Sequence, residues 1–170
     1  GSCKLLVVTR CLPQRYKDDL AKQLPEVDLF MGTAEAPRIV ELIERQLQLD
    51  QPSQEVGVPD YLYDHETPRV NSSPFYSSYI KIADGCSNHC SYCVIPQLRG
   101  TLRSRGIDSV VQEARNLVDQ GVKEINLIAQ DITAYGMDRA DGATIEKLLK
   151  ELVKVDGADW IRLLYAYPDG

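Results

Sequence analysis

Cys86, Cys90 and Cys93 stand within eight residues of one another, in the segment GCSNHCSYC (85–93), with the spacing C-x₃-C-x₂-C. Thiolates are soft ligands that suit zinc and iron–sulfur clusters. Iron–sulfur cubanes normally take four cysteines. A loop that offers three therefore leaves one iron for a ligand from outside the protein, the open position that catalytic metal sites keep. The same residues admit a structural zinc site, with His89 or a distant cysteine as fourth ligand. Such sites usually show paired C-x₂-C knuckles, and the second pair is missing here. The spacing favours the open cluster. A zinc- or cluster-bearing module without catalysis is the competing class.

Other polar residues stand where they could serve such a centre. Gln130 and Asp131 follow an apolar run and read as site candidates, or as caps of a loop. Arg99, Arg103 and Arg105 form a basic trio downstream of the cysteines that could steer a carboxylate or could be a solvated face. Lys81 and Arg162 interrupt apolar runs, and each reads as pointing into a binding mouth or as pairing with a carboxylate. His89 reads as a solvated loop residue.

The elements that must position these residues are legible as a β-α-β-α series and then a second series. Lys4–Thr9 reads as a buried parallel strand, 14–24 as a helix ended by Pro25, 27–31 as a strand and 37–49 as a helix with Ile39, Val40, Leu42, Ile43 and Leu47 on one face. The stretch 51–76 carries Pro52, Pro59, Pro68 and Pro74 without periodicity and reads as a linker or strap, with Tyr61, Tyr63, Phe75 and Tyr76 as possible anchors. From Ser77 the order is strand (79–83), cysteine loop, helix (107–120, with Ser109 and Gln112 as a capping box and Gly121 as its stop), strand (123–129), helix (144–155, with Val153 among its inward residues) and strand (160–165). This is α/β architecture. Three β-α units in series fit part of a parallel β/α barrel, whose sites sit at the C-terminal ends of the strands. The cysteine loop and Gln130-Asp131 both fall at such ends. Two strands alone make a poor sheet, so the first series reads as part of a small Rossmann-like domain.

Composition sets outer bounds. The chain has 170 residues, 44% hydrophobic and 26% charged, with a net charge of −6, and the parts on either side of Ser77 are both net acidic. Neither has the basic balance of a nucleic-acid-binding surface. No apolar run reaches the length of a membrane span. Five cysteines, an odd number with three on one loop, argue against a secreted disulfide framework and for a reducing, cytoplasmic setting. Cys3 reads as a small core residue.

The motif C-x₃-C-x-aromatic-C, here Cys86, Cys90, Tyr92 and Cys93, resembles the signature of the radical S-adenosylmethionine (SAM) superfamily. Within it, IPQLRGTLRSR, KEINLIAQDITAYG and LLYAYP, with VVTRCLPQRY and LPEVDLFMG upstream, resemble the methylthiotransferase family across nearly the whole chain. The resemblance implies insertion of sulfur and a methyl group at an unactivated C–H bond. It implies a 4Fe–4S cluster on Cys86, Cys90 and Cys93 whose remaining iron binds SAM, and Tyr92 beside the adenine. One-electron cleavage of SAM would yield a 5′-deoxyadenosyl radical, with an electron donor as partner and a second SAM as methyl source. QDITAYG and LLYAYP are most similar to the branch acting on an aspartate of the small-subunit ribosomal protein S-twelve. The branch acting on isopentenyladenosine in transfer RNA is the alternative, and it tends to have asparagine where Asp131 stands and a serine-histidine pair ahead of the match to Pro168.

By the same resemblance, residues 1–50 correspond to the C-terminal part of an N-terminal domain that holds a second, sulfur-donating cluster. Residues 51–76 are the linker and 77–170 the first half of the barrel domain. Cys11 matches one of three second-cluster ligands, and no other cysteine matches the remaining two. Arg10 stands where the family usually has glycine. A chain with one of three donor-cluster ligands is not expected to complete methylthiolation by itself. An open barrel edge at 160–165 is expected to favour self-association.

Overall fold

The computed structural model describes residues 3–72 and 74–167; Pro168, at the close of LLYAYP, lies outside them. Two compact units emerge. Gly1–Tyr61 and His89–Gly100 form the first, and Leu62–Asn88 and Thr101–Gly170 the second.

In the first unit, β1 (Val7–Thr9), α1 (Cys11–Gln23), β2 (Leu29–Met31), a 3₁₀ turn (Ala36–Arg38) running into α2 (Ile39–Gln46), and β3 (Ser53–Glu55) follow in order. The three strands form one parallel sheet, β1-β2-β3, with Leu29 opposite both Val7 and Ser53. The central strand β2 is buried on both faces, as parallel strands are. Phe30 packs with Leu20 of α1 and Val27, while Leu29 and Met31 pack with Leu42 of α2. Each such side chain contributes about 1.5–3 kcal/mol by leaving water. α3 (Ile95–Arg99) belongs to this unit and packs against α1.

The two-strand sheet has a third member within the stretch read as linker: β3 is Ser-Gln-Glu, and its strand signal is hidden by polarity. Gln46 places it, buried, with its amide nitrogen donating 2.8 Å to the Gln51 carbonyl and its oxygen accepting from the Ser53 hydroxyl. Only Leu42 and Ile43 of the expected α2 face turn inward; Ile39, Val40 and Leu47 are exposed, because a short helix on a three-stranded sheet covers little width. Cys3 is exposed, not in the core.

The second unit contains β4 (Ser77–Lys81), β5 (Ala83–Asp84), β6 (Arg103–Ser104), α4 (Ile107–Asp119), β7 (Glu124–Ile128), α5 (Ile145–Leu152) and β8 (Trp160–Leu163). β4, β7 and β8 form an open parallel sheet in that order, with Ile80 opposite Leu127 and Ile125 opposite Ile161. One face buries Ile80, Ile125 and Leu127 in a core shared with Val110, Ala114, Leu117, Leu148 and Leu152 from the two helices. The expected parallel strands with intervening helices are present, and the sheet is not closed among the described residues. β5 and β6 pair antiparallel, Ala83 with Ser104 and Asp84 with Arg103.

Here too details differ. Gly106 is the N-cap of α4 and no side chain caps it. Ser109, read as half of a capping box, accepts instead from Arg105 Nη2 at 2.9 Å and from the His65 amide at 3.3 Å. Gly121 ends the helix at φ 96°, as expected. Val153 is exposed, one residue past the end of α5. Arg105 is no solvated face: it is 3% exposed and pairs at 2.5 Å with Glu113, which also binds Arg69 at 2.5 Å. Arg69 donates further to the Tyr79 carbonyl and the Ser78 hydroxyl, so the proline-rich strap is fixed by a cation. Phe75 and Tyr76, offered as anchors, are exposed and touch each other edge-on. Among the described residues no helix is long and apolar enough to cross a membrane.

Candidate functional site

The cysteine loop leaves the second unit through a neck. Gly85, at φ 75°, turns the chain out of β5, its amide donating to the Asp84 carboxylate at 2.9 Å. The chain returns at Leu102, whose amide donates to the Ser87 hydroxyl at 3.2 Å, and enters β6. Cys86 belongs to this unit, whereas Cys90 and Cys93 belong to the first. The Cys93 amide donates to the Cys90 carbonyl at 3.0 Å, a turn that leads into α3. Among the described residues no three or more His, Cys, Asp or Glu side chains are gathered for a metal.

The donor set fits an iron–sulfur cluster in chemistry. Cys86, Cys90 and Cys93 are free, half-buried thiols, and soft thiolates are the ligands such clusters take. His89 is exposed. Tyr92 is 89% exposed.

Cys86 borders a cavity of about 200 Å³, lined also by Asn88, Leu102, Asp131, Met137 and Asp138. Sites for whole drug-sized ligands run to about 300–1,000 Å³, so this space is smaller than such a site. Asp131 is buried at its wall. Its Oδ1 accepts from the Thr133 amide at 3.0 Å and hydroxyl at 2.6 Å, and its Oδ2 from Asn88 Nδ2 at 2.8 Å. Burial works against its charge, but the bonds from Thr133, Asn88 and the Ala134 amide outweigh it and hold the carboxyl below the usual range. Asp131 thus caps its own loop and faces the cavity. The neighbouring Gln130 keeps a buried Oε1 with no partner among the described residues.

Lys81 and Arg162 both pair with carboxylates, Lys81 with Asp84 at 2.6 Å and Arg162 with Glu124. In the first unit, Cys11 opens α1, and Arg99 Nη2 lies 4.0 Å from its sulfur. Arg10, just before it, has φ 78° and ψ −131°. Asn88 and Asp138 escaped the sequence reading. Asn88 had a signal, its place inside the cysteine motif; Asp138 had none, since its role depends on long-range contacts.

The family model described as the radical SAM superfamily matches residues 80–167. The chain belongs to the radical SAM superfamily. Among curated relatives of this radical SAM chain, the ribosomal protein uS12 methylthiotransferase RimO of Syntrophotalea carbinolica is 65% identical over all of the chain, which covers 37% of that protein. The same-named protein of Geotalea uraniireducens is 60% identical over 99% of the chain and 38% of its own length. The chain therefore spans under two fifths of these relatives. A solved radical SAM methyltransferase, TsrM of Kitasatospora setae with cobalamin and a 4Fe–4S cluster bound, overlaps 45% of this chain and 13% of its own at 27% identity and a TM-score of 0.37. That overlap is too slight to bear on the fold.

Proposed function

We propose that this chain is a working part of a methylthiotransferase that modifies an aspartate of the small-subunit ribosomal protein uS12. The observation that carries the reading is 65% identity along the entire chain to a relative of that name. On this reading Cys86, Cys90 and Cys93 supply the three thiolates of a 4Fe–4S cluster. Such a cluster, with SAM bound, supplies the one-electron chemistry that makes an unactivated C–H bond reactive.

The chain's own residues bind and orient. Asp131, held ionised by its hydrogen bonds, offers negative charge at the wall of the cavity beside Cys86. Gln130 offers an unused acceptor, and both suit the cationic end of SAM. Tyr92 would stand beside the adenine. Cys11 contributes to the sulfur-donating second cluster. The open sheet β4-β7-β8 is one part of a β/α barrel. An electron donor and uS12 are the protein partners, and free thiols suit a reducing cytoplasm.

Two experiments test this. Anaerobic reconstitution should yield one four-iron cluster per chain, lost when the three cysteines of the loop become alanine. One equivalent of zinc, indifferent to those substitutions, would support the scaffold reading instead. For the substrate, the chain can replace the matching segment of the Syntrophotalea carbinolica relative, with and without Arg10→Gly. Mass spectrometry should then find methylthiolated uS12. Loss of modification in both chimeras, or modified isopentenyladenosine in its place, would sink the proposal.

A further inference from the structure

The segment that follows β7 grips both ends of the cysteine loop. At the outgoing end, Asp131 Oδ2 accepts from Asn88 Nδ2 at 2.8 Å. At the returning end, residues 136–139 engage every polar group of Ser104. Its amide donates to Asp138 Oδ2 at 2.8 Å, its hydroxyl accepts from the Gly136 amide at 2.9 Å, and its carbonyl accepts from Arg139 Nη1 at 3.0 Å. Arg139 is itself braced by Asp141. One residue on, the buried Tyr135 hydroxyl donates 2.7 Å to the Arg105 carbonyl. Gly136 cannot be replaced without cost. It sits at φ 88°, and a Cβ there would come within 2.1 Å of the Ala143 carbonyl oxygen. The tight turn brings its amide to Ser104.

We propose that Asp131 and Asp138 are positioning residues that clamp the neck of the cysteine loop and so fix the direction in which Cys86 presents its sulfur. The proposal rests on the reading that Cys86 is a cluster ligand. Ligand loops need support from rigid neighbours to hold a metal in place. Gly85–Asn88 has little regular structure of its own; it is held by the two-residue β5-β6 ladder, the Ser87–Leu102 bond and this clamp. Asp138 is exposed at the surface, so its substitution leaves the core intact.

The test compares the chain with its Asp138→Ala and Asp138→Asn versions. In the metal-free chain, amide exchange at Ser104 should quicken about tenfold or more in Asp138→Ala, the scale of losing a charge-assisted hydrogen bond. After anaerobic reconstitution, that version should release iron to a chelator at least about threefold faster, with a changed electron paramagnetic resonance line shape, while its melting temperature stays near the parent's. Asp138→Asn keeps an acceptor toward the Ser104 amide and should restore both rates most of the way. Asp131→Asn, which weakens the other end, should also quicken iron release. A parent chain that binds iron, with release and line shape unmoved in Asp138→Ala, overturns the clamp alone. A parent chain that binds no iron overturns the cluster reading, and the positioning role with it, whatever the exchange rates do.

Discussion

Arg10 holds φ 78° and ψ −131°, a region that glycine enters freely and a side-chain-bearing residue enters at a cost of about 1–3 kcal/mol. Glycine would return part of this as unfolded-chain entropy, so Arg10→Gly is expected to stabilise the first unit by about 1 kcal/mol, read as a rise in denaturation midpoint; an unchanged or lower midpoint would count against strain here. Tyr135 has the opposite character, a residue at ease in its place. Burial, opposed by the nearby Arg139 and Arg105, pushes its phenol up to about 12. The folded state thus favours the protonated form, and this contribution is complete below the ordinary value near 10. It falls away as pH rises through 10 toward 12. Tyr135→Phe should cost roughly 1 kcal/mol at neutral pH through the lost bond to the Arg105 carbonyl. It should also flatten the alkaline fall in a series of midpoints against pH, and an alkaline limb as steep as the parent's would refute the assignment. At this scale the sequence showed what spacing can show. The three cysteines stand out as candidate ligands by their intervals, and Gln130-Asp131 as candidates by following a strand. The partners of Ser104 do not, because Asp138 is 34 residues away and nothing local marks it.

Strands and helices were legible where burial writes a period into the chain. α4 and β7 are both amply buried and fell close to their expected bounds. β3 was not legible, since a three-residue edge strand of Ser, Gln and Glu carries no apolar signal and edge strands are often short and polar. The expected face of α2 failed for a related reason, since helical spacing names a face but not how much of it finds a neighbour. β8 is an edge strand of a different kind. It pairs with β7 on one side, and Trp160 and Leu163 are exposed along it, with Arg162 between them the only charge. Among the described residues no strand pairs with its other side, and such an edge invites another copy. Light scattering should show a molar mass that climbs with concentration, and Leu163→Lys should reduce the climb. A concentration-independent monomer would remove the idea.

The two units carry unequal cores. The second buries one continuous cluster from Ile80 to Val155, while the first divides its apolar residues between two small clusters on either face of β2. Stability that differs between units makes unfolding depart from a single transition. Trp160 is the only tryptophan and lies in the second unit, so its fluorescence reports that unit, whereas far-ultraviolet circular dichroism reports both. In urea the dichroism signal should begin to fall at lower denaturant than the fluorescence. Superimposable curves would show the units unfolding as one. The grouping of His89–Gly100 with the first unit was beyond sequence reading, because membership in a core is decided by contacts that no interval encodes.

The first unit is built from two separated stretches, so the polypeptide passes from one unit to the other three times. Anyone wishing to shorten the gene meets a seam that does not run straight. A piece comprising 62–170 would keep Cys86, Cys90 and Cys93 in order, yet it would strip α3 of α1, and Leu98 of the Thr33 hydroxyl that donates to its carbonyl at 2.9 Å. The stretch carrying two of the three thiols would then be orphaned from its own packing, and a protease should cut it between 89 and 100 while sparing the same bonds in the parent. A cut after Tyr61 leaves the first unit split between the two pieces.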